Sequence, residues 1–190
     1  MKKIGILGGT FNPIHAGHLL LAEEVKEKLG LDHVIFIPCF LPPHKNSRDL
    51  PSAKHRLNMV KLAVSDNNDF KVSTIEIDRG GRSYSIDTMH ELATSYEKGT
   101  RFYFIIGSDS VATLSSWKSI DKLIKMCIIV AVGRPGYKNG RKKGVKTLDL
   151  PTIPVSSTDI RNLIKKDVSI HYLVPDKVRE YIIKNGLYKR

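Results

Sequence analysis

The sequence predicts an α/β fold of the Rossmann-like, doubly wound type, with a mostly parallel sheet and helices on both faces. Short apolar runs of strand length alternate with helix-length segments along the chain. These runs are continuously apolar, which is typical of parallel strands that helices cover on both sides. The 190 residues, 41% of them hydrophobic and 26% charged, are enough to bury one full core. We therefore expect a single domain over residues 1–190, with a helical C-terminal part from about residue 156 packed on it.

The first half of the chain predicts three strands and three helices. Gly30 follows the first helical pattern as a C-terminal cap, and Ser52 and Ser85 are suited to cap the next two helices. Several prolines between the second strand and the second helix indicate a loop. The predicted strands span residues 3–7, 33–38 and 70–77, the helices 17–29, 52–64 and 85–96, and the loop 39–51.

The second half of the chain continues the alternation. Apolar runs predict strands at 101–107 and 126–133, and we expect a short sixth strand at 152–155. Residues 136–146 are basic and contain glycine, and we interpret this loop, with its charges at 138–146, as a solvated surface without a catalytic part. A helix is predicted from near Ser157. A last helix is predicted from near Pro175, because proline is favourable at the first helical position, and Gly186 ends it.

The overall charge indicates an anionic partner. Lysine and arginine together number 31 against 19 acidic residues, so the net charge is +12. That charge suits nucleotides, nucleic acid or an acidic surface and does not choose among them. The 2 cysteines show no metal or disulfide spacing, which indicates a reducing compartment. The longest apolar run, 126–132, is far shorter than the roughly 20 residues of a membrane helix. We therefore expect a soluble, cytoplasmic protein with no membrane partner.

The segment directly after the first strand, GGTFNPIHAGH at residues 8–18, carries a candidate phosphate site. Gly8 and Gly9 permit a tight turn and close approach of the backbone to a ligand. His15 and His18 lie three residues apart at the opening of the helix, so they can face the same side. The helix start adds amides and the positive end of its dipole. An ordinary strand-to-helix turn would explain the glycines alone, but the full combination indicates a phosphate site. The segment is neither a GxGxxG fingerprint nor a Walker loop.

This motif resembles that of a known enzyme family. The HxGH pattern at 15–18 is similar to that of the nucleotidylyltransferase superfamily, whose fold is Rossmann-like, and the longer string resembles its bacterial nicotinate mononucleotide adenylyltransferases. Phosphopantetheine adenylyltransferases are close cousins, but they typically have aspartate where this chain has Asn12. Further motifs follow in the order of the family: PPHK at 42–45, RSYSIDT at 82–88, GSDS at 107–110 followed by Trp117, RPGY at 134–137 and SSTDIR at 156–161.

The resemblance implies a reaction. The adenylyl group of ATP would pass to nicotinate mononucleotide, giving deamido-NAD and pyrophosphate in NAD biosynthesis. The attacking 5′-phosphate is already ionised, so neither a covalent intermediate nor a general base is required. The protein must supply in-line positioning and neutralisation of charge. We expect Mg²⁺ to accompany ATP, held mainly by phosphates and water rather than by protein ligands.

The resemblance also assigns phosphate-binding roles to matched positions. Without it, a solvated loop charge would explain Lys45, and a plain N-terminal cap would explain the serines before residue 161. His44, beside Lys45, has no settled role. The expected catalytic residues are His15, His18, Lys45 and Arg161. The expected ATP and phosphate contacts are Gly8, Gly9, Thr10, Phe11, Ser156, Ser157 and Thr158.

The acceptor pocket is expected from the middle of the chain. Trp117, the sole tryptophan, lies in a polar stretch and can stack on a planar pyridine ring, although a hydrophobic anchor would explain it equally well. Asp109 follows the fourth strand and can bind a ribose hydroxyl or a water on Mg²⁺. The expected acceptor contacts are Tyr84, Thr88, Gly107, Asp109, Trp117 and Arg134.

Two alternatives remain. One is a related adenylyl- or cytidylyltransferase that uses another phosphate acceptor. The other is a basic nucleic-acid-binding module, but the sequence shows no basic helix with interleaved aromatics, no RNP-like string and no zinc spacing. We therefore expect small-molecule substrates, ATP and nicotinate mononucleotide, and no nucleic acid. The sequence leaves open whether the chain is a monomer or a homodimer.

Overall fold

The fold rests on one sheet of parallel strands. The computed structural model describes residues 1–43, 50–133, 144–151 and 153–189, without the side chains of residues 108 and 109. The strands are β1 (Lys3–Gly9), β2 (His33–Pro38), β3 (Phe70–Val72), β4 (Arg101–Gly107), β5 (Ile128–Gly133) and β6 (Val145–Asp149). Their order across the sheet is β3-β2-β1-β4-β5-β6, and every pair of neighbours is parallel.

Helices connect the strands. Two short 3₁₀ segments, Ser108–Val111 and Leu114–Ser116, follow β4. In the part of the chain that the structure describes, no helix is long and apolar enough to cross a lipid bilayer. The α-helices are α1 (Ala16–Leu29), α2 (Ala53–Ala63), α3 (Ile75–Arg79), α4 (Ser85–Ser95), α5 (Ile120–Met126), α6 (Ser157–Lys165) and α7 (Asp176–Lys184).

Alternate side chains of β1, β2, β4 and β5 enter two separate cores, because successive residues point to opposite faces of a sheet. One core contains Leu7 and Phe36 from the strands together with buried residues of α1, α2, α6 and α7. The other contains Ile6 and Phe104 together with buried residues of α4 and α5. Helices therefore cover both faces, and the doubly wound α/β prediction is confirmed. The C-terminal helices α6 and α7 belong to the first core.

Local capping explains where several helices begin and end, as the sequence predicted. Gly30 ends α1 with a left-handed φ of 58°, a conformation that glycine adopts without steric cost. The Ser52 hydroxyl accepts a hydrogen bond from the amide of His55 at 3.3 Å, and it caps α2. The starts of two other helices differ slightly from prediction. Tyr84 is the cap of α4, with Ser85 its first residue, and Pro175 occupies the cap position of α7 rather than its first turn.

The predicted strand at 70–77 is mostly wrong. Only Phe70–Val72 pairs in the sheet, and Ile75–Arg79 forms α3. The alternation of apolar and polar residues that predicted a strand continues past the last ladder contact with β2. Helix formation instead lets the Thr74 hydroxyl donate to the Asp78 carboxylate at 2.6 Å and places Glu76 in a buried position where it accepts a hydrogen bond.

The sixth strand lies earlier than predicted. The residues that pair with β5 are Val145–Asp149, whereas the described residues 153–155 are not in the sheet and residue 152 is outside the described residues. The β6 strand is at the sheet edge and buries only Leu148 of its five residues, so it shows no apolar run. Lys146, which was expected in the basic loop, is an exposed residue of this strand. Met126, predicted to begin the fifth strand, instead ends the unpredicted helix α5.

Candidate active site

The strand order creates a crevice at the carboxyl edge of the sheet. From β1 the chain moves to β2 and β3 on one side, whereas β4, β5 and β6 lie on the other side. The connections therefore change direction between β1 and β4, and ligands of open α/β sheets bind at such a point. Gly9 and Gly107 are the last residues of these two strands. The phosphate loop, residues 8–18, starts there.

The tight turn of the phosphate loop is not where the sequence placed it. Gly8 and Gly9 are still extended strand residues and pair with Ile37 and Pro38. Phe11 makes the turn instead, with a φ of 47° that a non-glycine residue rarely adopts. A Cβ on Gly9 would lie only 3.1 Å from the Phe11 ring, so this glycine is needed for close packing. Phe11 is buried, so its predicted contact with ATP stays a prediction.

The two histidines of the phosphate loop lie against each other. Their ring centroids are 3.7 Å apart, as expected from their spacing. The amide of His15 donates to Nδ1 of His18 at 3.2 Å. Because this Nδ1 accepts a hydrogen bond, neutral His18 carries its proton on Nε2. The rings of Phe11 and His18 pack edge to face with centroids 5.2 Å apart. His18 is therefore fixed in one tautomer and one orientation.

His15 is buried in an uncharged state. It is 7% exposed, and within the described residues its buried Nδ1 has no hydrogen-bond partner. Burial lowers the pKa of His15 to about 4, because the imidazolium loses hydration that nothing nearby replaces. His15 is consequently neutral at pH 7.

Gly17 allows the His15 ring to sit at the helix start. A Cβ at this position would lie 3.0 Å from Cγ1 of Val155 and 3.1 Å from Nδ1 of His15. Steric crowding therefore explains why a glycine lies between the two histidines. Not every amide at the helix start is available to an anion, because that of Ala16 donates to the carbonyl of Leu173 at 2.9 Å.

The start of α6 packs on the phosphate loop although 144 residues separate them in sequence. The Ser157 hydroxyl donates to the carbonyl of Pro13 at 2.9 Å. Arg161 donates through Nη1 to the carbonyl of Asn12 at 2.9 Å and through Nη2 to the Thr158 hydroxyl at 3.1 Å. Within the described residues no carboxylate pairs with this guanidinium. The fold thus brings together the two motifs that the sequence assigned to phosphate.

Ser156 caps α6. Its hydroxyl accepts from the amide of Asp159 at 3.1 Å and donates to the carboxylate of the same residue at 2.6 Å. The plain N-terminal cap is therefore a correct interpretation of this serine. A further role toward phosphate stays a prediction.

Two of the predicted acceptor residues, Tyr84 and Thr88, lie at the start of α4, and Lys118, the residue after Trp117, contacts the same turn. Lys118 lies 4.6 Å from the centroid of the Tyr84 ring and pairs with Asp87 at 2.9 Å. Trp117 is half-buried, and its ring packs edge to face with that of Phe104, with centroids 6.0 Å apart. One side of Trp117 therefore packs on the core, and the residue also retains exposed surface. This position is compatible both with a hydrophobic anchor and with a ring that stacks on the acceptor.

Thr88 is the predicted acceptor residue that the geometry supports least. It is 1% exposed, and its hydroxyl donates to the buried Glu76 carboxylate at 2.6 Å and accepts from Arg79 at 3.0 Å. These bonds connect α3 to α4. Its position favours a structural part in holding the start of α4, and contact with an acceptor stays a prediction.

Several predicted residues lie outside the described part of the chain. Lys45 and His44 fall in 44–49, and Arg134 falls in 134–143 with most of the basic loop. The Asp109 side chain is also outside the description. Their predicted roles stay predictions.

Sequence reasoning missed Arg56. This residue is 0% exposed and donates through Nη1 to the carbonyl of Thr10 at 2.9 Å, inside the phosphate loop. The sequence pattern of α2 could have identified this residue. Arg56 occupies the same face of α2 as Met59, Val60 and Ala63, which are all buried. A charged residue in phase with a buried stripe indicates a specific buried contact.

Comparison with known proteins gives consistent results. Residues 6–163 match the cytidylyltransferase-like family. Relatives named "Probable nicotinate-nucleotide adenylyltransferase" include one from Streptococcus pyogenes, 46% identical over 188 residues (99% of this chain, 89% of the relative). Another, from Bacillus licheniformis, is 45% identical over 189 residues and the full length of both chains. Among solved structures, the Plasmodium falciparum nicotinic acid mononucleotide adenylyltransferase complexed with NaAD superposes with a TM-score of 0.78, at 20% identity, covering 99% of this chain and 98% of that one.

Proposed function

The chain belongs to the cytidylyltransferase-like family and, within it, to the nicotinate-nucleotide adenylyltransferases, and we propose that it transfers the adenylyl group of ATP to nicotinate mononucleotide. The products are deamido-NAD and pyrophosphate, and the reaction is a step of NAD biosynthesis. The observation that carries the proposal is the contact between two distant motifs. Arg161 and Ser157 bond the carbonyls of Asn12 and Pro13, so a guanidinium and a histidine pair meet at one crevice.

The chemistry needs positioning and charge neutralisation more than acid–base catalysis. The 5′-phosphate of the acceptor attacks the α-phosphorus of ATP, the bond to the bridging oxygen breaks, and pyrophosphate leaves with the electron pair. Nε2–H of His18 is the donor for an α-phosphate oxygen, where negative charge increases in the transition state. Arg161 suits the departing β- and γ-phosphates, because guanidinium donors match phosphate oxygens. Lys45 adds a further positive charge in this proposal.

His15 complements His18 from a buried position. Its ring is in contact with that of His18, and its Nδ1 lacks a partner among the described residues. A phosphate oxygen near this ring favours the protonated form and opposes the effect of burial on the His15 pKa. We propose that His15 gains a hydrogen bond to phosphate when ATP binds.

The start of α4 and Trp117 form the acceptor side of the proposed site. Amides in the first turn of a helix have no partner within the helix and suit an anionic carboxylate. A carboxamide would place its NH₂ group against those donors, so the nicotinate form should be preferred over the nicotinamide form. Trp117 stacks on the pyridine ring in this proposal, with Tyr84, Gly107, Asp109 and Arg134 around it.

Magnesium enters with ATP in this proposal. The phosphates of ATP are hard oxygen ligands, which Mg²⁺ prefers, and the ion retains several of its waters. Among the described residues, no group of three histidine, cysteine, aspartate or glutamate side chains could hold a metal ion. A cytoplasmic location completes the proposal. Both cysteines, Cys39 and Cys127, are free and buried, as expected of a protein in a reducing compartment.

A comparison of acceptors tests the proposed function. Pyrophosphate release is measured from ATP and Mg²⁺ with nicotinate mononucleotide, nicotinamide mononucleotide, phosphopantetheine and no acceptor. We expect the highest kcat/KM with nicotinate mononucleotide and formation of the dinucleotide by chromatography. An equal or higher kcat/KM with another acceptor would overturn the substrate assignment. A salt-resistant thermal shift with duplex DNA, and none with ATP, would favour the nucleic-acid alternative.

A further inference from the structure

The guanidinium of Arg56 bonds three separate backbone segments inside the core. Besides its bond to Thr10, it donates through Nη2 to the carbonyl of Phe40 at 2.8 Å and through Nε to the carbonyl of Pro51 at 3.2 Å. Nη1 also lies 3.7 Å from Sγ of Cys39. Thr10 follows β1, Phe40 follows β2 and Pro51 precedes α2. No carboxylate pairs with Arg56 among the described residues.

Stability alone does not explain a buried guanidinium at this position. Removing a charge from water is costly, and well-packed apolar side chains often stabilise a core as well as or better than buried charges. Met59 and Val60 show that this face of α2 accepts apolar residues. Three carbonyl acceptors offset the cost for arginine, and only a forked donor can bond all of them at once. The residue type is therefore matched to these carbonyls.

The bonded carbonyls fix a strained turn. Arg56 bonds the carbonyl of Thr10, in the peptide before Phe11, and Arg161 bonds the carbonyl of Asn12, in the second peptide after it, so the backbone is anchored on both sides of the turn. Phe11 has a φ of 47°, and strained conformations of this kind persist only when their surroundings determine them. The Phe11 ring, in turn, packs against His18. A continuous path of contacts thus runs from Arg56 through the turn to the histidine.

We propose that Arg56 is a positioning residue for adenylyl transfer, which holds the turn at Thr10–Asn12 and thereby the orientation of His18. The proposal rests on the proposed function. Because Arg56 is fully buried, we assign it an action through other residues and not by contact with the substrates. Loss of Arg56 should therefore lower kcat, because misplacement of a donor costs most in the transition state. Ground-state binding of the substrates should change less.

Kinetics of Arg56 variants test this role. Arg56→Met removes the donors and retains the length of the side chain, and Arg56→Lys retains the charge without the fork. The matched control is Val60→Ala, which truncates a fully buried residue of the same helix. kcat and both KM values are measured well below each Tm. We expect Arg56→Met to lower kcat on the order of 10- to 100-fold with small changes in KM, and Arg56→Lys to recover part of it. Val60→Ala should lower Tm and leave kcat per folded molecule unchanged.

The proposal is wrong if Arg56→Met lowers Tm as Val60→Ala does and leaves kcat within twofold of wild type. If neither Arg56 variant folds, NMR of the wild-type protein decides. We then expect the Nη1–H signals of Arg56, which report its bond to Thr10, to exchange slowly and to shift when a non-hydrolysable ATP analogue is added, with the Val60 methyl signals unmoved. Nη1–H signals that ignore the saturating analogue overturn the proposal. Failure of the proposed function differs from both results, because wild-type protein would then release no pyrophosphate with nicotinate mononucleotide.

Discussion

Acid should destabilise the protein through His15. Burial lowers the pKa of this histidine from 6.5 to about 4, so the unfolded chain binds a proton at a higher pH than the folded chain does. The contribution of neutral His15 is fully present above pH 6.5 and is lost as the pH falls toward 4. At 1.36 kcal/mol for each pH unit between the two pKa values, the full loss is about 3 kcal/mol. Between pH 7.5 and 5, the loss of stability from protonation of His15 is about 2 kcal/mol.

The assay compares wild type with His15→Gln, which cannot titrate at this position. Free energies of unfolding are measured by urea denaturation at intervals from pH 7.5 to 5. Because other groups titrate in both proteins, the difference between the two curves isolates His15. We expect wild type to lose about 2 kcal/mol relative to the variant over this range. Parallel curves, or a wild type that gains on the variant as the pH falls, would show that His15 is not buried in its neutral form.

Three further predictions concern the site. His18→Ala should lower kcat on the order of 10²- to 10³-fold in the pyrophosphate assay, since it removes one donor to the developing charge, whereas His90→Ala, at an exposed position of α4, should not. A His18→Ala enzyme with near-normal turnover would exclude this role. Gly17→Ala should displace His15, because its Cβ would lie 3.1 Å from that ring, and a kcat equal to wild type would contradict this. Trp117→Ala should weaken acceptor binding by roughly 1–3 kcal/mol and spare ATP, with recovery in Trp117→Phe; unfolding of Trp117→Ala, with tryptophan emission that ignores nicotinate mononucleotide, would identify a core anchor instead.

The sequence predicted best the features that depend on residues close together in the chain. Strands buried on both faces are continuous apolar runs, so β1, β2 and β4 were found within a few residues. Caps such as Ser52 and Gly30 act on neighbouring amides and carbonyls, and they were placed correctly. The histidine pair was predicted because its spacing on one helix fixes its geometry. The motif at 156–161 was assigned to phosphate through its resemblance to the family, because a plain N-terminal cap would also explain its serines.

Features that depend on tertiary contacts were missed. The alternation at 70–77 predicts a strand, and only the buried bond between Glu76 and Thr88 explains why part of it is helical. The edge strand β6 buries one side chain, which is too weak a pattern to detect. The buried stripe of α2 signals a buried contact for Arg56, but it does not identify the carbonyls of Thr10 and Phe40 as the partners. Such partners lie far apart in sequence, so pattern and propensity carry no information about them.

The stereochemistry at the α-phosphorus tests the central claim most directly. The account holds that the acceptor phosphate displaces pyrophosphate in one in-line step, positioned by His18 and Arg161 without a covalent intermediate. The measurement uses ATP that carries sulfur at the α-phosphorus in one configuration, with nicotinate mononucleotide as the acceptor. The configuration of the thio-dinucleotide product is read by ³¹P NMR. The account predicts inversion at phosphorus. Retention would indicate two displacements through an adenylylated protein and would contradict it.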